Sequence, residues 1–206
     1  MKGTPGVSRR GVASREAILQ AAVRVIGREG LAGASLAAVA KEAPTSKPAV
    51  LYHFGSRERL LFEVAALALG LYRGMLGPSD GRAASLRPRS EATIAAIFAP
   101  ENRTLLACVH ELVGLGMRDP AVGELMRTSL EEVLQGPIQA LSHLGHERAR
   151  AIARSLVMTV HGHVELWLFA DPADGKQFIE SATRAVLALL PEPPAEPRGS
   201  VERTRV

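Results

Sequence analysis

The chain is short of several things, and each shortage excludes a class of function. It has one cysteine, Cys108, among 206 residues, so no disulfide can form within it and no cysteine-rich metal site can be built. Cys108 reads as a small core residue on a helix. Aromatic residues make up 4% of the chain while alanine, leucine and arginine abound, a composition that favours packed helices over sheets. No apolar run is long enough to span a bilayer, and residues 1–11 are basic and glycine-bearing rather than a charged start followed by a hydrophobic block. A cytoplasmic protein with no membrane partner is therefore expected. Catalytic signatures are missing as well: there is no nucleophile elbow, no phosphate-cradling glycine loop and no paired carboxylates at a workable spacing. No catalytic residue and no cofactor is assigned. His161 and His163 invite a metal reading, but residues two apart point to nearly opposite sides of a helix and cannot share an ion. His143 and His146 flank Gly145 in a loop with no carboxylate cluster, so no metal ligand is assigned either.

What is present begins with 47% hydrophobic residues, enough for one large domain or two small ones. The net charge of +4 is modest, but its placement is informative. Residues 1–60 carry ten Lys+Arg against four Asp+Glu, residues 61–190 twelve against fourteen, and the tail from 191 three against three. Positive charge thus gathers at one end, as expected where one domain meets phosphates and the other does not.

The organising stretch is Ser35 to Leu60, SLAAVAKEAPTSKPAVLYHFGSRERL. Leu36, Val39 and Ala40 lie one turn apart on one helical face, with Ser35 where an N-cap oxygen would stand. Pro44 disfavours an α conformation in the residue before it, so this helix stops near Ala43. Thr45 or Ser46 can cap a second helix, with Pro48 in its first turn, where a missing N–H costs little. The pattern predicts a helix-turn-helix whose second helix carries Ser46, Lys47, Ala49, Tyr52 and His53 outward and Val50 and Leu51 inward, a surface suited to the DNA major groove. Candidate DNA contacts are Ser35, Thr45, Ser46, Lys47, Ala49, Tyr52 and His53.

The run from Ala43, A-x-T-S-K-P-A-V-L-Y-H-F-G-S-R-E-R-L, together with SREAILQAAVRVIGREGLAGASL from Ser14, resembles the DNA-binding domain of the TetR family of bacterial transcriptional regulators. The resemblance is specific from about Ser14 to Leu61 and weak beyond. It implies an all-α fold, with an N-terminal three-helix DNA-binding domain joined to a larger helical domain for ligand binding and dimerisation. It adds Arg57, near a helix N-terminus, as a phosphate contact. It also implies a ligand-responsive regulator, most naturally a repressor, which binds a palindromic operator as a homodimer and is released by a small-molecule effector. Two departures stand out. Pro44 occupies a corner where the family usually has glycine, although proline is not expected to adopt a positive φ. Leu51 stands where the family often has tyrosine. Pro44 motivates an alternative: a helical small-molecule-binding dimer whose DNA binding is weakened or lost.

In chain order, residues 1–13 form an expected flexible basic arm and 14–60 the DNA-binding domain, whose first helix is capped by Ser14 and buries Ile18, Ala21, Ala22, Val25 and Ile26. Residues 61–190 form the helical domain and 191–206, with four prolines, a disordered tail. The helix after Ser56 continues past the motif through Leu71, making it the lever between domains. Gly77–Arg89 reads as a loop. Helices follow around 91–98, 103–117, from 120 with an interruption at Gly136-Pro137, over 146–170 and over 177–190. The last two have wider apolar faces than one subunit needs, and the family pairs such helices across a two-fold axis. Candidate ligand-pocket residues are Phe98, His110, Met117, Met126, Met158, His161 and Trp167.

Overall fold

The computed structural model describes residues 9–192, all in helices and connections with no strand among them. The helices are α1 (Arg9–Gly33), α2 (Leu36–Glu42), α3 (Lys47–Phe54), α4 (Arg57–Met75), α5 (Ala83–Ile97), α6 (Arg103–Gly116), α7 (Pro120–Ala140), α8 (His146–Phe169) and α9 (Gly175–Leu189). Short 3-10 turns stand before α6, α8 and α9.

The expected stripe on α1 forms the floor of the N-terminal domain: Ile18, Ala22, Val25 and Ile26 are buried in one core with Val39, Val50, Phe54 and Leu60. The three helix starts in this region are capped as their serines suggest. Ser35 Oγ accepts the Ala38 amide at 3.1 Å, Ser46 Oγ the Ala49 amide at 3.2 Å and Ser56 Oγ the Arg59 amide at 3.1 Å. Between α2 and Ser46, Pro44 stands at φ +22°, a positive value that the proline ring strongly disfavours. The corner nevertheless closes, with the Thr45 amide donating to the Ala40 carbonyl at 2.9 Å.

Several boundaries differ from expectation. α1 starts at Arg9, upstream of Ser14, so Ser14 is an interior residue and not a cap; extending an existing helix costs far less than nucleating one. The rest of the expected arm, residues 1–8, lies outside the described residues, as does most of the expected tail, 193–206. α5 begins at Ala83 with Pro88 inside it, shortening the expected 77–89 loop, and α7 runs unbroken through Pro137. An interior proline costs about 3 kcal/mol. Burying Leu86, Ile94 and Ile97 on α5, or Leu134 with the neighbouring Leu141 on α7, returns about 1.5–3 kcal/mol for each side chain, which exceeds that cost.

α1 is broken at Gly30 (φ +70°, ψ 177°), where the chain turns towards α2. It also runs against α6 of the larger domain. α4 belongs to both domains, since Leu60 and Leu61 lie in the N-terminal core while Ala68 and Tyr72 are buried further along.

Candidate functional site

The outward face of α3 is the first candidate. Tyr52 is 86% exposed and meets the His53 ring edge-on at 5.4 Å, and His53 in turn sits 6.3 Å from buried Phe54. Lys47 is exposed and forms no ion pair among the described residues. Thr45 and Ala49 are half-buried at the base of this face, and Ser35 and Ser46 sit exposed at the two helix starts, their oxygens engaged as caps.

Two expectations change. Leu51 points outward, 39% exposed, because α3 is anchored by Val50 and Phe54; residues 50 and 54 are one turn apart, which turns 51 with Tyr52 towards solvent. Leu51 therefore joins the candidate face. Arg57 turns inward: its Nε donates to the Ala34 carbonyl at 3.0 Å and its Nη2 to the Leu31 carbonyl at 2.6 Å. It braces the turn after α1, leaving only part of its guanidinium to meet a phosphate.

Other charges near the face are used internally. Glu42 accepts from Arg24 at 2.7 Å and Arg28 at 2.8 Å, and the Arg28 and Arg24 hydrogen bonds pull its carboxyl down to about 2. Glu63 takes both Arg15 and Arg59. Part of the basic excess read from sequence thus clamps α1 to α2 and α4.

The second candidate is a cavity of about 210 Å³ in the larger domain, walled by α4, α5, α7, α8 and α9. Its wall is hydrocarbon, including Ile94, Ile97, Leu156, Val160 and Val186, with buried Tyr72 among them, and its rim carries Arg73, Arg89, Ser90, Thr93 and Glu132. Tyr72 is 6% exposed, and burial pushes its hydroxyl up to about 12, so it is neutral at physiological pH.

None of the ligand candidates named from sequence lines this cavity. Phe98 and Trp167 are fully buried partners with ring centroids 5.4 Å apart. Trp167 stacks under the Arg103 guanidinium, and its Nε1 has no hydrogen-bond partner among the described residues. His110, Met117 and Met158 face solvent, and Met126 is half-buried against the core. His161 is exposed beside the cavity, its ring 5.8 Å from that of Tyr72. His161 and His163 each engage the carbonyl four residues earlier, at 2.9 and 2.7 Å. The missed residues had one legible signal: Tyr72 continues the α4 stripe through Val64 and Ala68, placing a hydroxyl on a core face. Arg89 and Ser90 had none, because the segment before them reads as loop.

Comparison with known proteins decides the family. Residues 18–64 match the family model for bacterial regulatory proteins of the tetR family. The chain is also 31% identical over 171 residues to the HTH-type nicotine-responsive transcriptional repressor HdnoR of Paenarthrobacter nicotinovorans, covering 78% of this chain and 86% of that protein. The chain belongs to the TetR family. Among solved structures, a transcriptional regulator from Rhodococcus sp. Rha1 superimposes with a TM-score of 0.75 at 20% identity over 86% of this chain and 95% of that one. The multidrug binding protein EbrR complexed with malachite green gives 0.63 at 22% identity, over 86% and 98%.

In this TetR-family regulator the two candidate sites share one helix. α4 starts beside α3, with its first residue, Arg57, bound to the end of α1, and reaches the cavity through Tyr72, Arg73 and Leu76. Arg73 forms an ion pair with Glu132 of α7 at the cavity rim.

Proposed function

We propose that the protein is a homodimeric repressor that binds a palindromic operator through the outward faces of its two α3 helices and leaves it when a small molecule fills the cavity. The observation that carries this reading is the span of α4 from the α3 corner to the cavity wall. A ligand that favours one position of α4 biases the separation of the recognition helices, provided its affinity differs between the two positions. Operator contact is assigned to Lys47, Leu51, Tyr52 and His53, with Ser35, Thr45, Ser46 and Ala49 at the base and Arg57 as a brace. Dimerisation is assigned to α8 and α9, on the strength of an exposed stripe of Met158, Gly162, Leu166 and Phe169 on α8 and of exposed Leu189 on α9. The repressor outcome and the response to a small organic molecule are carried over from the nicotine-responsive relative; release as the form of that response is what the family resemblance implies.

Selection of the purified protein against a random DNA pool tests the reading. Enrichment of an inverted repeat with half-sites about one helical turn or a multiple apart is expected. The pocket-only alternative is motivated by Pro44, whose positive φ of +22° is a strained conformation for proline at the corner. Failure to enrich any sequence at low salt would decide for that alternative.

A further inference from the structure

The chemistry of the cavity narrows what fills it, an inference that rests on the effector reading above. Its hydrocarbon wall calls for an apolar body, and about 210 Å³ suits one substituted ring or a short chain, below the usual drug-sized range of about 300–1,000 Å³. Its polar fixtures are unequal. Ser90 Oγ already donates to the Leu86 carbonyl at 2.8 Å and Thr93 Oγ1 to the Leu76 carbonyl at 3.3 Å, so both have spent their single proton. Glu132 is held by Arg73. Two sets of donors remain. The Tyr72 hydroxyl belongs to a side chain more than nine-tenths buried, lines the cavity and makes no hydrogen bond among the described residues. Arg89 donates through Nη1 to Ser79 Oγ at 2.8 Å, which leaves its other N–H groups without a protein acceptor among the described residues. The neighbouring Asp80 is occupied by Ser85 Oγ at 2.5 Å and the Arg82 amide at 3.0 Å.

We propose that the effector is a small, mainly apolar carboxylic acid whose carboxylate binds Arg89 and competes with Glu132 for Arg73. Arg73 is paired with Glu132 and Arg89 lies near the Asp80 carboxylate, but the N–H groups of Arg89 that no protein acceptor takes among the described residues can bind an anion and cannot bind an ammonium ion. The consequence for regulation follows from the same contact. Arg73 is on α4 and Glu132 on α7; a ligand carboxylate that takes Arg73 loosens α4 from α7 at the end of the helix remote from the recognition helix.

The test uses the full chain and five probes at matched ionic strength: phenylacetate, phenylacetamide, phenethylammonium, hexanoate and hexylammonium, followed by titration calorimetry and by the thermal midpoint. Both carboxylates should bind at least about tenfold more tightly than the amide and the ammonium ions, because a charge-assisted hydrogen bond corresponds to about ten- to a hundredfold in affinity. Arg89→Gln, at the rim, should remove about tenfold or more of the carboxylate affinity while leaving the unliganded midpoint in place. Val157→Phe, at a half-buried wall position, should abolish binding of every probe that uses the cavity. Equal or better binding of the amide or ammonium probes, abolished by Val157→Phe, would overturn the acid assignment and leave the cavity as effector site. Absence of binding by both carboxylates would also overturn it, whereas operator selection decides the DNA-binding reading independently.

Discussion

The Leu31 amide donates to the Glu111 carboxylate across 2.9 Å, while the carbonyl of the same residue accepts from Arg57 at 2.6 Å. One peptide position past the Gly30 break is thus held by α6 of the larger domain and by the first residue of α4. A hydrogen bond to a charged group contributes about 1.5–3 kcal/mol, and its partial exposure here places it at the lower end. Glu111→Ala should lower stability by about 1–2 kcal/mol and speed amide exchange over residues 30–34, read by urea unfolding and hydrogen exchange. Unchanged exchange there would show that the bond does not hold the two domains in register.

The approach of α1 to α6 makes a second prediction. A Cβ at Gly27 would overlap the Thr104 carbonyl oxygen and stand 2.8 Å from Thr104 Cγ2. Backbone cannot yield as a side-chain tip can. Gly27→Ala should therefore destabilise by about 1–3 kcal/mol, despite alanine's better helix propensity, and shift the angle of the recognition helices. Thermal unfolding checks the first effect and operator affinity the second.

On the outward face of α3, Lys47→Ala and Tyr52→Ala should weaken operator binding with the fold intact, since both side chains are exposed and outside the core. In a dimer, Lys47→Ala removes two phosphate neutralisations, so the slope of log affinity against log salt should fall by about two. Tyr52→Ala should leave that slope unchanged. Affinity titrations between low and physiological salt, with circular dichroism as the folding control, separate the two.

Pro44 at φ +22° stores strain of about 1–3 kcal/mol, whereas glycine adds about 0.4–1 kcal/mol of unfolded-state freedom. Pro44→Gly should then stabilise by about 1 kcal/mol and raise the melting midpoint by about 2–4 °C. Loss of stability on this change would show that the corner is relaxed with proline in place.

The Glu42 carboxyl lies at about 2 against an ordinary value of 4.5, lowered by Arg28 and Arg24. Because its folded value is depressed, the unfolded chain binds the extra proton between those limits. The contribution is present above about pH 4.5 and is lost as the pH falls towards 2. Urea midpoints at pH 7, 4 and 3 should decline in the wild-type protein, and Glu42→Gln should lack this component of the decline.

Local signals determined much of this molecule. Ser35, Ser46 and Ser56 cap the helices that their positions announce, and the 3.6-residue stripe on α1 is buried throughout, whereas on α4 the stripe ends early, with Leu71 38% exposed; capping and amphipathic burial act within a few turns of chain. Which α3 residues point outward was legible for the same reason, apart from Leu51, where one helical step of 100° separates inside from outside. Tertiary structure alone decided three matters. Pro88 and Pro137 remain inside helices because buried leucines and isoleucines outweigh a lost backbone bond. Arg57 braces the chain instead of standing free because the carbonyls of Leu31 and Ala34 are brought to it by the Gly30 break. The cavity forms where five helices from distant parts of the chain fail to fill the space between them, a property of their mutual packing that no single stretch of sequence contains.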